Sequence, residues 1–193
     1  FDSLGNSINN EFQVNTFENG GQREPSVSAL SDGGFIVVWQ DEINEAIFAQ
    51  LYDSSGSTVG DNFQIDTHIT NRRSELPDVA GFSGGGFVVV WESTVGIYPS
   101  IVRYANARIY DESANPIGDE FQVNQGESQG LVKVATFQNG GFVVAWQMGP
   151  NGKLNVRLYD ASGNSIGNEF TAVSSGPNYA IQVDTFSDGG FVI

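Results

Sequence analysis

The chain has no cysteine, a single histidine and a single methionine, and its 193 residues carry only 8 Lys and Arg against 23 Asp and Glu. Each shortage removes a class of chemistry. Without cysteine there is no disulfide, no thiolate nucleophile and no cysteine-ligated zinc. One histidine cannot form a His-Glu-x-x-His metal motif. His68 lies in a polar loop (DTHITNRRSELP), where it reads as a solvated residue and not as a base. The formal charge of −15 repels nucleic acid and anionic membrane surfaces, which excludes both as partners. No apolar run approaches the roughly 18 residues that cross a bilayer. No charged-then-apolar leader opens the chain, no stretch follows a helical period, and no Gly-x-Ser-x-Gly elbow or phosphate-binding glycine loop is present.

What is present repeats. Gly33 to Trp39 (GGFIVVW) returns at Gly85 to Trp91 (GGFVVVW), at Gly140 to Trp146 (GGFVVAW) and, cut short, at Gly189 to Ile193 (GGFVI). A period near 50 residues with one strand-like core per unit is the mark of a propeller or other repeat array. Within the first copy, Phe35, Val37 and Trp39 share one face of a strand and Ile36 and Val38 the other. Both faces are apolar, so neighbours must cover both. Strands are expected over Pro25 to Leu30, Phe35 to Gln40, Ile47 to Tyr52 and Asn62 to Asp66. The last has relatives at Glu11 to Asn15, Glu120 to Asn124 and Glu169 to Val173. A Tyr-Asp turn recurs as Tyr52-Asp53, Tyr110-Asp111 and Tyr159-Asp160, with Phe1-Asp2 as its first copy. Each is followed by Gly5, Gly56, Asn115 or Gly163 at the position expected to need positive φ.

The expected fold is therefore all-β: a β-propeller of four-stranded blades, built from about four repeats of ~50 residues. The repeats run approximately over 16–66, 67–124 and 125–173, with a composite of 174–193 and 1–15. Two arrangements satisfy this count: a four-bladed ring whose termini share one blade, or a slice of a longer ring. The chain opens in mid-repeat, which favours a fragment or a processed piece.

Candidate functional residues are few. The longest second-to-third strand connection is Glu92 to Tyr104 (ESTVGIYPSIVRY), and insertions in repeat proteins gather on the binding face. Tyr98, Arg103 and Tyr104 are the ligand-contact candidates there, against the alternative of an ordinary surface loop. Asp53, Asp111 and Asp160 recur at one turn position and are the candidate calcium ligands. One Asp per turn supplies few oxygens, and an Asp opening a turn caps backbone N–H groups without any metal. Arg72 and Arg73 read as partners in local salt bridges. The three tryptophans read as core, not as a sugar-stacking platform.

The cycle EFQVNT, P-x-V-A-x-L, DGGFVVVWQ and YD-x-x-G-x-x-IG-x-EFQVN resembles repeats of very large exported bacterial proteins that accompany calcium-binding nonapeptide (RTX) tails and type I secretion. The match covers essentially the whole chain and is strongest over 11–65 and 120–170. Departures are Gly84 in place of the turn Asp, Ala114-Asn115 in the second turn, and TAVSSG after Phe170. No nonapeptide repeat occurs here, so the calcium roll does not carry over. The resemblance implies an extracellular or cell-surface home and an adhesion or matrix role. It designates no catalytic residue.

Three functions follow as expectations. The first is a non-enzymatic secreted or surface module for binding, adhesion or scaffolding, partnered by a glycan, a matrix protein or further copies of itself. The second is a carbohydrate-binding lectin, with or without calcium. The third is a fragment of a propeller enzyme that degrades polysaccharides.

Overall fold

A computed structural model describes residues 4–7, 10–16, 20–67, 71–126, 128, 130–149, 151–176 and 180–193. Asp2 and His68 lie outside the described residues. Strands β1 (Gln22–Ala29), β2 (Phe35–Asp41), β3 (Ala46–Tyr52) and β4 (Thr58–Gln64) form an antiparallel sheet in chain order. The same meander recurs as β5 (Arg72–Gly81), β6 (Phe87–Val95), β7 (Val102–Tyr110) and β8 (Pro116–Gln122). It recurs again as β9 (Val132–Thr136), β10 (Phe142–Met148), β11 (Lys153–Tyr159) and β12 (Ser165–Val173). A two-stranded sheet, β13 (Asp184–Thr185) and β14 (Phe191–Val192), begins a fourth unit. Among the described residues there is no helix.

The sheets stack as blades. β1 lies beside β5 and β5 beside β9, so the first strands gather at an axis while the fourth strands face solvent. Alternation along the central strands does the packing. Ile36, Val38, Ile47, Ala49 and Leu51 of the first blade meet Val79, Phe87, Val89, Trp91 and Tyr110 of the second. Val88, Val90, Ala105 and Ala107 of the second meet Val134, Phe142, Val144 and Trp146 of the third. Trp39 is 4% exposed, and Trp91 and Trp146 are 0% exposed, so all three are core and none is open to stack a sugar.

The GG dipeptide is explained by two separate demands. Gly33 has φ +87°, which glycine adopts without strain, and it closes the β1–β2 turn by donating to Leu30 O at 3.1 Å. Gly34 lies against the next turn, where a Cβ would stand 2.3 Å from Tyr52 O. The preceding Asp32 carboxylate accepts from Gly34 N at 2.9 Å.

The EFQVN motif staples one blade to the next. Val14, Ile65 and Val123 each offer a carbonyl to the tyrosine of the following blade: Tyr52 Oη at 3.1 Å, Tyr110 Oη at 2.9 Å and Tyr159 Oη at 3.1 Å. The next residue turns back to its own blade, since Asp66 accepts from Ile47 N and Asn124 from Ala105 N, both at 2.9 Å. The motif's glutamates cap the linker that enters their own blade: Glu120 accepts from Thr67 N at 2.8 Å and Glu169 from Gln125 N at 3.0 Å.

Some expectations need correction. Glu11 to Asn15 forms no strand, and the fourth strand expected over Asn62 to Asp66 runs instead over Thr58–Gln64. The positive φ of the second Tyr-Asp turn falls on Ala114, at 60°, and not on Asn115. Asn115 instead sits one place later, where its side chain donates to Asp111 at 3.0 Å as Asn164 does to Asp160 at 2.9 Å. The 92–104 stretch is also mostly strand. β6 and β7 each extend by two residues beyond β2 and β3, leaving only residues 96–101 as loop. Continued cross-strand pairing from Glu92↔Ala105 to Val95↔Val102 satisfies backbone groups that a long loop would leave to water.

Candidate functional site

The blade hairpins β2–β3, β6–β7 and β10–β11 share one end of the stack with the linkers between blades. Ser74 N donates to Glu45 O at 2.8 Å, Gly96 N to Asn71 O at 3.2 Å and Ser128 N to Arg103 O at 2.8 Å. The GG turns and the Tyr-Asp turns occupy the opposite end.

On the linker end, the extended β6–β7 hairpin of the second blade carries the cluster of greatest interest. Glu92 is 2% exposed. Its Oε2 accepts from Ser128 Oγ at 3.2 Å and from Gly130 N, and its Oε1 lies 3.3 Å from Arg103 Nε. Glu75 is its cross-strand partner, receiving Thr94 Oγ1 at 3.1 Å and Arg73 Nη2 at 3.4 Å. Burial pushes the Glu92 carboxyl up from its ordinary range; the Gly130 N–H, Ser128 and Arg103 pull it down, and the Glu75 charge raises it again. On the other face of β6, Arg72 is buried, donates from Nε to Ser93 Oγ at 2.8 Å and pairs with Glu120. Both arginines of the Arg72-Arg73 pair are thus held in ion pairs.

Glu92 is absent from the candidates drawn from sequence, although the repeat carries a signal for it. The residue after each tryptophan is Gln40, Glu92 and Gln147, so the second blade replaces a buried amide by a buried acid. A carboxyl whose folded pKa lies above its unfolded value of 4.5 keeps its proton longer in the folded chain. Stability therefore falls as pH rises through that window, and the cost is complete above the folded pKa. Glu92→Gln is expected to leave stability near that of the wild type below the window and to exceed it above. Urea unfolding of both proteins across the range measures the difference, and a variant that is less stable at high pH refutes the assignment.

Of the three ligand-contact candidates, the structure brings Arg103 into this cluster. Tyr98 stands at the tip of the hairpin, 85% exposed, joined to Pro99 by a cis peptide. Tyr104 is half-buried and opposite Ser93, on the face of β7 away from Arg103.

Asp53, Asp111 and Asp160 sit at the other end, one per blade, each committed to its own turn. Asp53 Oδ1 accepts from Ser55 N at 2.8 Å and Ser57 N at 3.0 Å. Asp111 Oδ1 accepts from Ser113 N at 2.9 Å and Asn115 N at 2.8 Å, and Asp160 Oδ1 from Ser162 N and Asn164 N, both at 2.9 Å. Side-chain bonds from Ser55, Asn115 and Asn164 respectively, helped by these amides, hold the carboxyls below their ordinary range. Among the described residues no group of three or more His, Cys, Asp or Glu is placed to hold a metal.

No protein-family model and no curated protein matches this sequence. Solved structures do. The Penicillium chrysogenum α-L-arabinanase complexed with arabinobiose aligns with TM-score 0.60 and 17% identity over 88% of this chain and 50% of its own. The α-L-arabinofuranosidase Arb93A from Fusarium graminearum, with an iminosugar inhibitor, aligns with TM-score 0.59 and 15% identity over 86% of this chain and 50% of its own. A subtype N10 neuraminidase-like protein of A/little yellow-shouldered bat/Guatemala aligns with TM-score 0.50 and 13% identity over 84% and 48%.

The fold is a β-propeller.

Three four-stranded blades and the first two strands of another are described. The chain spans about half the length of the solved propellers it matches.

Proposed function

We propose that this propeller segment is directed at glycans and serves as the recognition half of a polysaccharide-degrading protein. The observation that carries the reading is Arg103. Its guanidinium is half-exposed on the longest blade hairpin and is oriented by the sealed carboxylate of Glu92. A cation held in one place presents several fixed donors to sugar hydroxyls at little further entropic cost. Exposed Tyr98 adds an apolar face above it on the same hairpin. The likeness in fold to an arabinanase complexed with arabinobiose and to an arabinofuranosidase supports sugars as the ligand class. The resemblance to exported repeats supports an extracellular or cell-surface location.

One observation favours a second reading, a surface module that binds without turnover. The raised-pKa carboxyl Glu92 is sealed and already engaged by Gly130 and Ser128. It positions Arg103 and cannot itself reach a scissile bond.

Calorimetric titration of the chain with a panel of oligosaccharides, arabino-oligosaccharides included, tests the proposal. Binding is expected, with Arg103→Ala weakening it by about tenfold or more, or ~1.4 kcal/mol, and Tyr98→Ala weakening it less. The thermal midpoint of Tyr98→Ala should stay near wild type because its side chain is exposed, and an unchanged circular dichroism spectrum shows that Arg103→Ala, which removes a partner of the sealed Glu92, is still folded. Absence of binding across the panel, or affinity untouched by Arg103→Ala, overturns it. Repeating the titration with chelator asks whether calcium assists, and release of reducing ends by this chain alone would refute the recognition-only role.

A further inference from the structure

The two residues by which β6 and β7 outrun the strands of the other blades do more than lengthen a hairpin. In the third blade the paired strands end at Met148 and Lys153, which correspond to Ser93 and Tyr104. The next rung of the second blade, Thr94 opposite Arg103, has no counterpart there. β5 completes the rung, since Arg73 pairs with Thr94 from the other side. Residues directly opposite one another share a face of the sheet, so Arg73, Thr94 and Arg103 stand in one row. Further in, the same face carries Val88 and Val90, which pack on the third blade. Two strand spacings, about 10 Å, separate the backbones of the two arginines.

Charge is layered across this row. Glu75 and Glu92 lie one rung inward on the same face, with side chains 20% and 2% exposed, whereas those of Arg73 and Arg103 are 46% and 45% exposed. The anions are inside and the cations outside. Each guanidinium turns one side to its carboxylate: Arg73 Nη2 lies 3.4 Å from Glu75 Oε2, and Arg103 Nε 3.3 Å from Glu92 Oε1. Among the described residues no other partner takes up either guanidinium. Thr94 Oγ1, between them, donates inward to Glu75 at 3.1 Å and adds no negative charge to the row. The arrangement is particular to this blade. Three residues after the tryptophan, where the second blade has Thr94, the first has Glu42, itself paired with Arg23, and the third has Gly149.

We infer that this row binds the carboxylates of an acidic saccharide, one built of uronic-acid units, with Arg73 and Arg103 as the two anchors. The inference rests on the glycan reading and narrows it. A guanidinium offers parallel N–H donors in the plane a carboxylate needs, and such charged pairs are about twice as strong as neutral hydrogen bonds. Glu75 and Glu92 already hold both side chains, so little freedom is left to lose on binding. The rung separation is short enough for a single oligosaccharide to meet both arginines. The charge of −15 on the whole chain opposes any anion. At physiological salt that field decays over about 8 Å, so direct contact with the row outweighs the distant carboxylates.

Calorimetric titration of the chain with an oligogalacturonate, with its methyl ester and with a neutral arabino-oligosaccharide tests the inference. The acid is expected to bind at least about tenfold more tightly than the ester, which keeps the rings and lacks the charge. Added salt should weaken binding of the acid and leave the neutral sugars unaffected. Arg73→Gln should remove most of the preference for the acid. Thr94→Asp sets a carboxylate between the arginines and should abolish binding of the acid. An unchanged circular dichroism spectrum shows that both variants are folded. Equal affinity for acid and ester, with neutral sugars bound, overturns this inference and leaves the glycan reading standing. A preference for the acid that survives both variants also overturns it, because the carboxylate then binds elsewhere. No binding of any of the three sugars overturns both.

Discussion

Trp91→Ala is expected to destabilise the chain by about 3–5 kcal/mol, the range for truncating a fully buried large aromatic. The indole is 0% exposed and lies between the first and second blades with Ile36, Val38, Ile47 and Phe87. Its Nε1–H donates to Ser93 Oγ at 3.1 Å, and the Arg72 guanidinium lies 5.9 Å from the ring centroid. Removing the ring leaves a cavity that strands cannot collapse to fill, because both neighbouring sheets are held by their own ladders. It also leaves Arg72 buried beside empty space, with only Ser93 and Glu120 to hold it. Urea unfolding followed by circular dichroism reads the loss as a shift in midpoint at similar slope. A shift worth less than about 1 kcal/mol would show that the blades are not held by this layer.

The second large effect is at a glycine. Gly86→Ala should cost at least about 2 kcal/mol, because two penalties add there. Gly86 has φ +78°, and a Cβ would stand 2.3 Å from Tyr110 O and 3.1 Å from the Asp111 backbone, neither of which can swing away. Gly84, two residues earlier in the same turn, has no positive φ, and a Cβ added there would meet no atom within 4 Å. Gly84→Ala is therefore expected to be neutral, or to stabilise by a few tenths of a kcal/mol through the unfolded chain. Thermal melts of the two variants side by side are the check. Equal losses would mean that the turn is loose and that the close approach of the two hairpins is not what demands glycine.

Both effects fall on the repeated unit, the part of the molecule most open to reading beforehand. The GGFVVVW units are legible as doubly covered strands because a period of two with both faces apolar has one physical outcome, burial between two layers. The repeat of that unit implies blades, and the tryptophans are legible as core because they recur in phase with it. The turn at Ala114 is legible only from spacing and not from residue type. Asn is the commoner residue at positive φ, and only the spacing Asp111 to Ala114, matching Asp53 to Gly56, shows which residue takes it. The extended hairpin likewise reads as loop, since Ser93 to Tyr104 alternates weakly and pairing across a hairpin is not a property of either strand alone.

The candidate site divides in the same way. Arg103 can be chosen from an insertion in the repeat, and Glu92 from the exchange of Gln for Glu after a tryptophan. That Glu92 meets Ser128 and Gly130, 36 and 38 residues away, depends on where the linker to the third blade passes over the second. The sequence by itself determined the strands, their two apolar faces, the turn chemistry and the repeat, because those rest on contacts within a few residues and on period. The tertiary structure alone decided which carboxylate is sealed and which arginine it orients. Those depend on how one blade is set against the next, and a repeat presents the same local pattern whether its neighbour is there or not.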